Sequence, residues 1–144
     1  MMSWLIFALA TIFFYSIFDL LVKISSSKIN GGLGAFIMNI VSALVVLIYM
    51  AYSMWQGEKV LTSKPGGVMF STLAGIAIGL ASIFFIRMFA TGTNLSIGVP
   101  LVRIGIVLLA SLLGIFILKE SITFKYAIGF IMSLVGLYLI FSSK

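Results

Sequence analysis

Apolar residues run along this chain in five nearly continuous blocks of about 20 residues, separated by short polar or glycine-containing stretches. The blocks lack the apolar–polar alternation of a half-buried strand, and about 20 residues is the length an α-helix needs to cross a bilayer. The pattern predicts helices over 3–25, 33–54, 67–90, 97–118 and 123–142. Breaks are expected at Ser25-Ser26-Ser27 with Gly31-Gly32, and from Gln56 to Lys64, closed by Pro65-Gly66-Gly67. Two more fall at Thr91-Gly92-Thr93-Asn94 and Lys119-Glu120-Ser121, and Thr123 is placed to N-cap the last helix. Trp4, Tyr49, Tyr52 and Trp55 stand near span ends, where aromatic belts form. The first block has no cation ahead of its apolar stretch and runs on through Asp19 and Lys23, unlike a signal peptide.

Composition turns this pattern into a fold class. Of the 144 residues, 62% are apolar and 8% charged, against about 25% charged in a soluble domain. A core this small cannot bury that excess, so lipid must be the solvent for most of the surface. The chain therefore reads as one all-α integral membrane domain over 1–144, with five transmembrane helices and connectors too short for a soluble catalytic domain. It has no Cys and no His. Disulfides and thiolate chemistry are thereby excluded, and the commonest metal ligand and general base are missing. Its acids are Asp19, Glu58 and Glu120. No metal, cofactor or nucleophile–base pair is expected, and so no enzyme. The net charge of +6 comes from cations set singly near helix ends. Lipid headgroups, not nucleic acid, are the expected counter-charge.

The first block holds the most informative polar stripe. Thr11, Tyr15, Asp19 and Lys23 follow one another at i, i+4 on one helix face, with Ser16 beside them. Lipid penalises such a charged face, so it must turn toward the bundle or a wet cavity. Two readings stay open. Asp19 binds protons or a cationic solute with Lys23 as its neutralising neighbour, or the two pair near the helix end while Lys23 snorkels to the headgroups. Arg103, three residues after Pro100, either binds an anionic group or Asp19, or snorkels from the helix start. Pro100 itself is expected in the first turn, where its missing N–H costs nothing. Arg87 reads as an interfacial anchor. Asn39 and Ser42 extend a polar cavity or hydrogen-bond between helices.

Small residues form stripes that suit close helix packing: Ser71, Gly75, Gly79 and Ser82, then Ala110, Ser111 and Gly114, then Gly129, Ser133 and Gly136. Among the 13 Phe, the pairs Phe13-Phe14 and Phe84-Phe85 offer stacking surface, although lipid-facing or packing roles are the expectation.

Several segments carry a family resemblance. They are Ile86-Arg87-Met88-Phe89-Ala90-Thr91-Gly92, Val99-Pro100-Leu101, Leu118-Lys119-Glu120, and Gly129 with Gly136. Together they resemble the five-helix EamA repeat of the drug/metabolite transporter superfamily, which is related to the small multidrug resistance proteins. Lys23 falls where that repeat ends a Trp-Gly-to-Lys motif, with Tyr15-Ser16 in place of Trp-Gly and Asn39 where Arg is frequent. The resemblance implies one half of an inverted-repeat transporter, completed by a second copy in inverted orientation or by a paralogue. It implies a secondary transporter subunit in a prokaryotic inner membrane, moving a small organic metabolite or drug-like solute by proton coupling or exchange. Its cavity would be lined by the first four helices, with Tyr15, Asp19, Lys23, Asn39 and Arg103 as solute- or proton-binding residues. A lipid-linked sugar flippase is the near alternative, and a non-transporting scaffold or regulatory subunit is the alternative of another class.

Charge counting bears on orientation. With five spans, one side carries Lys59, Lys64, Lys119 and Lys125, and the other Lys23, Lys28, Arg87 and Lys144. Arg103 lies within a span and counts for neither. The tie leaves the positive-inside rule without a preference, so either the chain inserts both ways, or the tie is chance and a partner or the insertion machinery sets the orientation. A Ser143→Cys label, unique in a cysteine-free chain, should react with an impermeant thiol reagent in about half the molecules of intact cells. Labelling from one side only would rule out the inverted homodimer.

Overall fold

A computed structural model describes residues 3–142. Helix is the only regular secondary structure among them: α1 (Ser3–Ser26), α2 (Gly31–Trp55), α3 (Gly67–Ala90), α4 (Leu95–Phe116) and α5 (Phe124–Ser142). The Lys144 cation and the Ser143 labelling position lie outside the described residues. Helices α1 to α4 are each long and apolar enough to cross a membrane. The apolar part of α5, Phe124–Ile140, is shorter. It rises roughly 25 Å against a hydrocarbon core of about 30 Å. The five spans expected from the sequence are thus matched in length by four, and termini on opposite sides require α5 to cross as well.

Asparagine caps move two helix starts. Asn30 holds an extended backbone while its Oδ1 accepts the Gly32 N–H at 2.8 Å. Gly31-Gly32 is therefore the first turn of α2, where the sequence suggests a break. The Asn94 carbonyl accepts the amides of Ile97 and Gly98, so α4 begins at Leu95, two residues early. Pro100 consequently lies inside α4 and not in its first turn. It deprives the Ser96 carbonyl of its i+4 amide donor. The helix stops at Phe116, where Lys119 turns into left-handed backbone (φ 55°) and the Glu120 amide returns to the Gly114 carbonyl. Thr123 caps α5 as expected, its hydroxyl accepting the Tyr126 N–H at 3.2 Å.

The chain forms two compact units, one built from α1–α3 and the other from α4–α5. In the first, α1 buries Asp19, Val22 and Ser26, a spacing of i, i+3, i+7 on one face. Gly34 and Ala35 at the start of α2, and Ile86 and Phe89 near the end of α3, complete this core. Small residues make it possible. A Cβ on Gly31 would lie 3.0 Å from Arg87 Cγ, and one on Gly34 would lie 3.2 Å from the Ile29 and Ile86 side chains. Gly31, Gly34 and Ala35 thus form the seam that admits α3 to the backbone of α2. The stripes expected to do this behave differently: a Cβ on Gly75, Gly79, Gly129 or Gly136 would meet nothing within 4 Å. Ser133, between the two α5 glycines, donates to the Gly129 carbonyl of its own helix.

In the second unit the α4 stripe is used. The Tyr126 hydroxyl of α5 donates to Ser111 Oγ, and the Glu120 carboxylate fills the space over Gly114. Phe89 is 2% exposed and Phe84 66% exposed. Phe89→Ala should therefore cost about 3 kcal/mol, and Phe84→Ala no more than about 0.5 kcal/mol. Detergent-titrated unfolding of the purified protein checks both.

Candidate functional site

The packed end of the α1–α3 unit is held by aromatic rings and one charged pair of positions. Phe18 of α1 stacks on Phe85 of α3, with centroids 6.2 Å apart and planes within 6°. Phe85 meets Phe89 edge-on at 5.0 Å. Lys23 Nζ lies 5.5 Å from the Phe89 ring centroid, within cation–π range. Asp19 is 4% exposed, and no buried side-chain nitrogen or oxygen among the described residues lacks a hydrogen-bond partner. Of the polar stripe on α1, Asp19 is buried and Lys23 half-buried against α3, while Thr11 and Tyr15 are exposed.

Beside this end, residues of α1 and α2 with Ser82 of α3 line an open groove of ≈ 820 Å³. On α1 its lining advances by three and four residues through Phe7, Thr11, Phe14 and Phe18, with Tyr15 beside them. Asn39 and Ser42 face it from α2, and Ser82 from α3. Of the residues singled out in the sequence, the structure joins Thr11, Tyr15, Asn39 and Ser42 in this groove. Asp19 sits one turn past Tyr15, at the closed end, and is not part of the lining. Arg103 belongs to the α4–α5 unit.

Phe7, Phe18 and Ser82 are additions. The sequence stripe assigns Ser82 to packing, yet it precedes the buried Ile86 and Phe89 by four and seven residues, so it shares their inward face. That spacing is the signal that identifies it. Of the four stacking candidates, Phe14 lines the groove, Phe85 packs inside, and Phe13 and Phe84 are exposed.

The hydrogen bonds already made decide what the groove offers. Thr11 Oγ1 donates to the Phe7 carbonyl at 2.8 Å, and Ser82 Oγ donates to the Ile78 carbonyl at 2.7 Å. Asn39 Nδ2 donates to the Ala35 carbonyl at 2.7 Å. A hydroxyl has one proton, so Thr11 and Ser82 keep only lone pairs for a guest. With the π-faces of four aromatic residues, the groove offers more acceptors than donors, the donors being led by the Ser42 hydroxyl and the second Asn39 N–H. No family model, curated protein or solved structure matches this chain.

Polar lining predicts a wet groove inside an apolar shell. Thiols react as thiolates, which need water. Ser42→Cys should therefore react with a water-soluble maleimide about tenfold faster than Ile48→Cys, whose parent side chain is 71% exposed on the apolar surface of α2. Equal rates in vesicles would show a groove filled by lipid.

Proposed function

We propose that the chain is a secondary transporter subunit that carries a small amine-bearing organic solute in the α1–α2 groove. The observation that carries this reading is the acceptor-rich, aromatic lining between helices long enough to span a membrane. An ammonium group supplies the donors that Thr11 and Ser82 no longer provide, and the rings of Phe7, Phe14 and Tyr15 favour a cation over their faces. Asp19 stands one turn deeper, the group through which proton coupling or exchange would act. Arg103 is the second charged candidate, on the other unit. An inverted second copy or a paralogue supplies the rest of the pathway, an arrangement that places a site near the midplane and permits alternating access.

One observation favours a second reading. The groove is open and not enclosed, and a lipid-linked sugar flippase needs an open groove for a substrate whose tail stays in the bilayer. Uptake into proteoliposomes separates the readings. A panel of labelled amines and matched neutral alcohols should show amine accumulation. Tyr15→Phe and Asn39→Ala should each raise the half-saturating concentration about tenfold, the loss of one hydrogen bond to a charged group. Asp19→Asn should abolish accumulation while detergent unfolding stays unchanged. Activity on lipid-linked sugars alone supports the flippase. Indifference of cellular function to Asp19→Asn and Arg103→Gln supports a scaffold.

A further inference from the structure

A second groove of the α1–α3 unit, ≈ 620 Å³, has Leu21, Ile24, Ile29 and Met38 in its apolar lining and Ser25 and Lys28 as its polar residues. Its walls are the last turns of α1 and the first turns of α2, beside the turn that joins them. We infer that this groove holds one anionic phospholipid, with an acyl chain along the apolar wall and the phosphate against Lys28.

The two halves of the surface match the two halves of that molecule. Leu21 is 57% and Ile24 49% exposed, so the wall presents bare hydrocarbon surface at membrane depth. Lys28 stands exposed in the connecting turn, and its own amide is tied back to the Ser25 carbonyl at 2.8 Å, which fixes the turn. Charge selects the headgroup. From Leu20 to Met38 the sequence carries Lys23 and Lys28 and no acid, and the neighbouring acid, Asp19, is buried. The positive end of the α2 dipole begins three residues after Lys28 and adds a field of the same sign. A zwitterionic lipid brings its own cation and gains less from that field than a lipid of net negative charge.

Lys28 and Ile24 do not line the larger groove, so this site is independent of the transport reading. Native mass spectrometry of the purified full chain tests it, with phosphatidylglycerol and phosphatidylcholine as probes. One phosphatidylglycerol should bind per chain with about fivefold preference over phosphatidylcholine, as one cation at an anionic headgroup provides. Lys28→Gln should erase the preference, and Lys28→Arg should keep it. Lys59→Gln, in the loop between α2 and α3, should leave it unchanged. Ile24→Trp, which fills the groove, should weaken both lipids. Equal affinity for the two lipids overturns the proposal. So does an equal effect of Lys28→Gln and Lys59→Gln, which would mean diffuse surface charge. Displacement of the lipid by inorganic phosphate alone would mean an ion site and also overturns it. Matched far-ultraviolet circular dichroism establishes that the variants fold, and the Lys28→Arg result stands even if Ile24→Trp does not fold.

Discussion

Two glycines at the start of α2 occupy positions where a side chain would strike α3. The Cγ of Arg87 and the side chain of Ile86 already fill the space beside Gly31 and Gly34. Lipid tails are as apolar as leucine, so burying hydrocarbon gives helices little reason to associate in a bilayer, and close packing must do it. The seam at Gly31, Gly34 and Ala35 brings the backbones close enough for that packing to count. It also fixes where Ile86 and Phe89 sit, and hence the surface on which α1 lays Asp19, Val22 and Ser26.

Because the tight seam lies at one end, the opposite end is free to open. Burial on α3 is concentrated in its last turns, and Gly75 and Gly79 farther back meet nothing. The groove between α1 and α2 follows from this asymmetry. Its chemistry follows from a second constraint, that a hydroxyl on a helix in an apolar setting satisfies its proton on the carbonyl one turn back. Thr11 and Ser82 both do so. A lining that contains several polar residues therefore presents mainly acceptors, and this distinguishes the guests it suits from those it does not.

Both grooves share Phe18 and Met38, so the middle of α1 and the first turns of α2 wall both the aromatic groove and the cation-edged one. Phe18 is held from behind by Phe85, which is held in turn by Phe89. That row of rings ties the shape of each groove to the packed end of the unit. It gives the unit's one buried carboxylate, Asp19, and the half-buried Lys23 a fixed apolar setting on the same turns of α1.

The all-helical architecture, the number of helices and most of their ends were legible in the sequence, because block length and punctuation are local properties. Within the Thr11–Lys23 stripe the structure buries Asp19 and half-buries Lys23 but leaves Thr11 and Tyr15 exposed, in keeping with the higher cost of charge in hydrocarbon. The helix starts after Asn30 and Asn94 were missed: Gly31-Gly32 look like a break until the Asn30 cap is seen, and at Asn94 only the backbone carbonyl, which the side-chain pattern does not report, starts the helix. The close approach seen between α2 and α3 is at glycines that the packing stripes did not include. Gly75 and Gly79 have the spacing of a seam, but spacing alone does not supply a neighbour. Only the tertiary structure chose Gly31 and Gly34, parted Tyr15 from Asp19 and turned Ser82 into the groove. Those outcomes depend on which helix faces meet, and close approach between particular backbones decides that, not the period of any one segment.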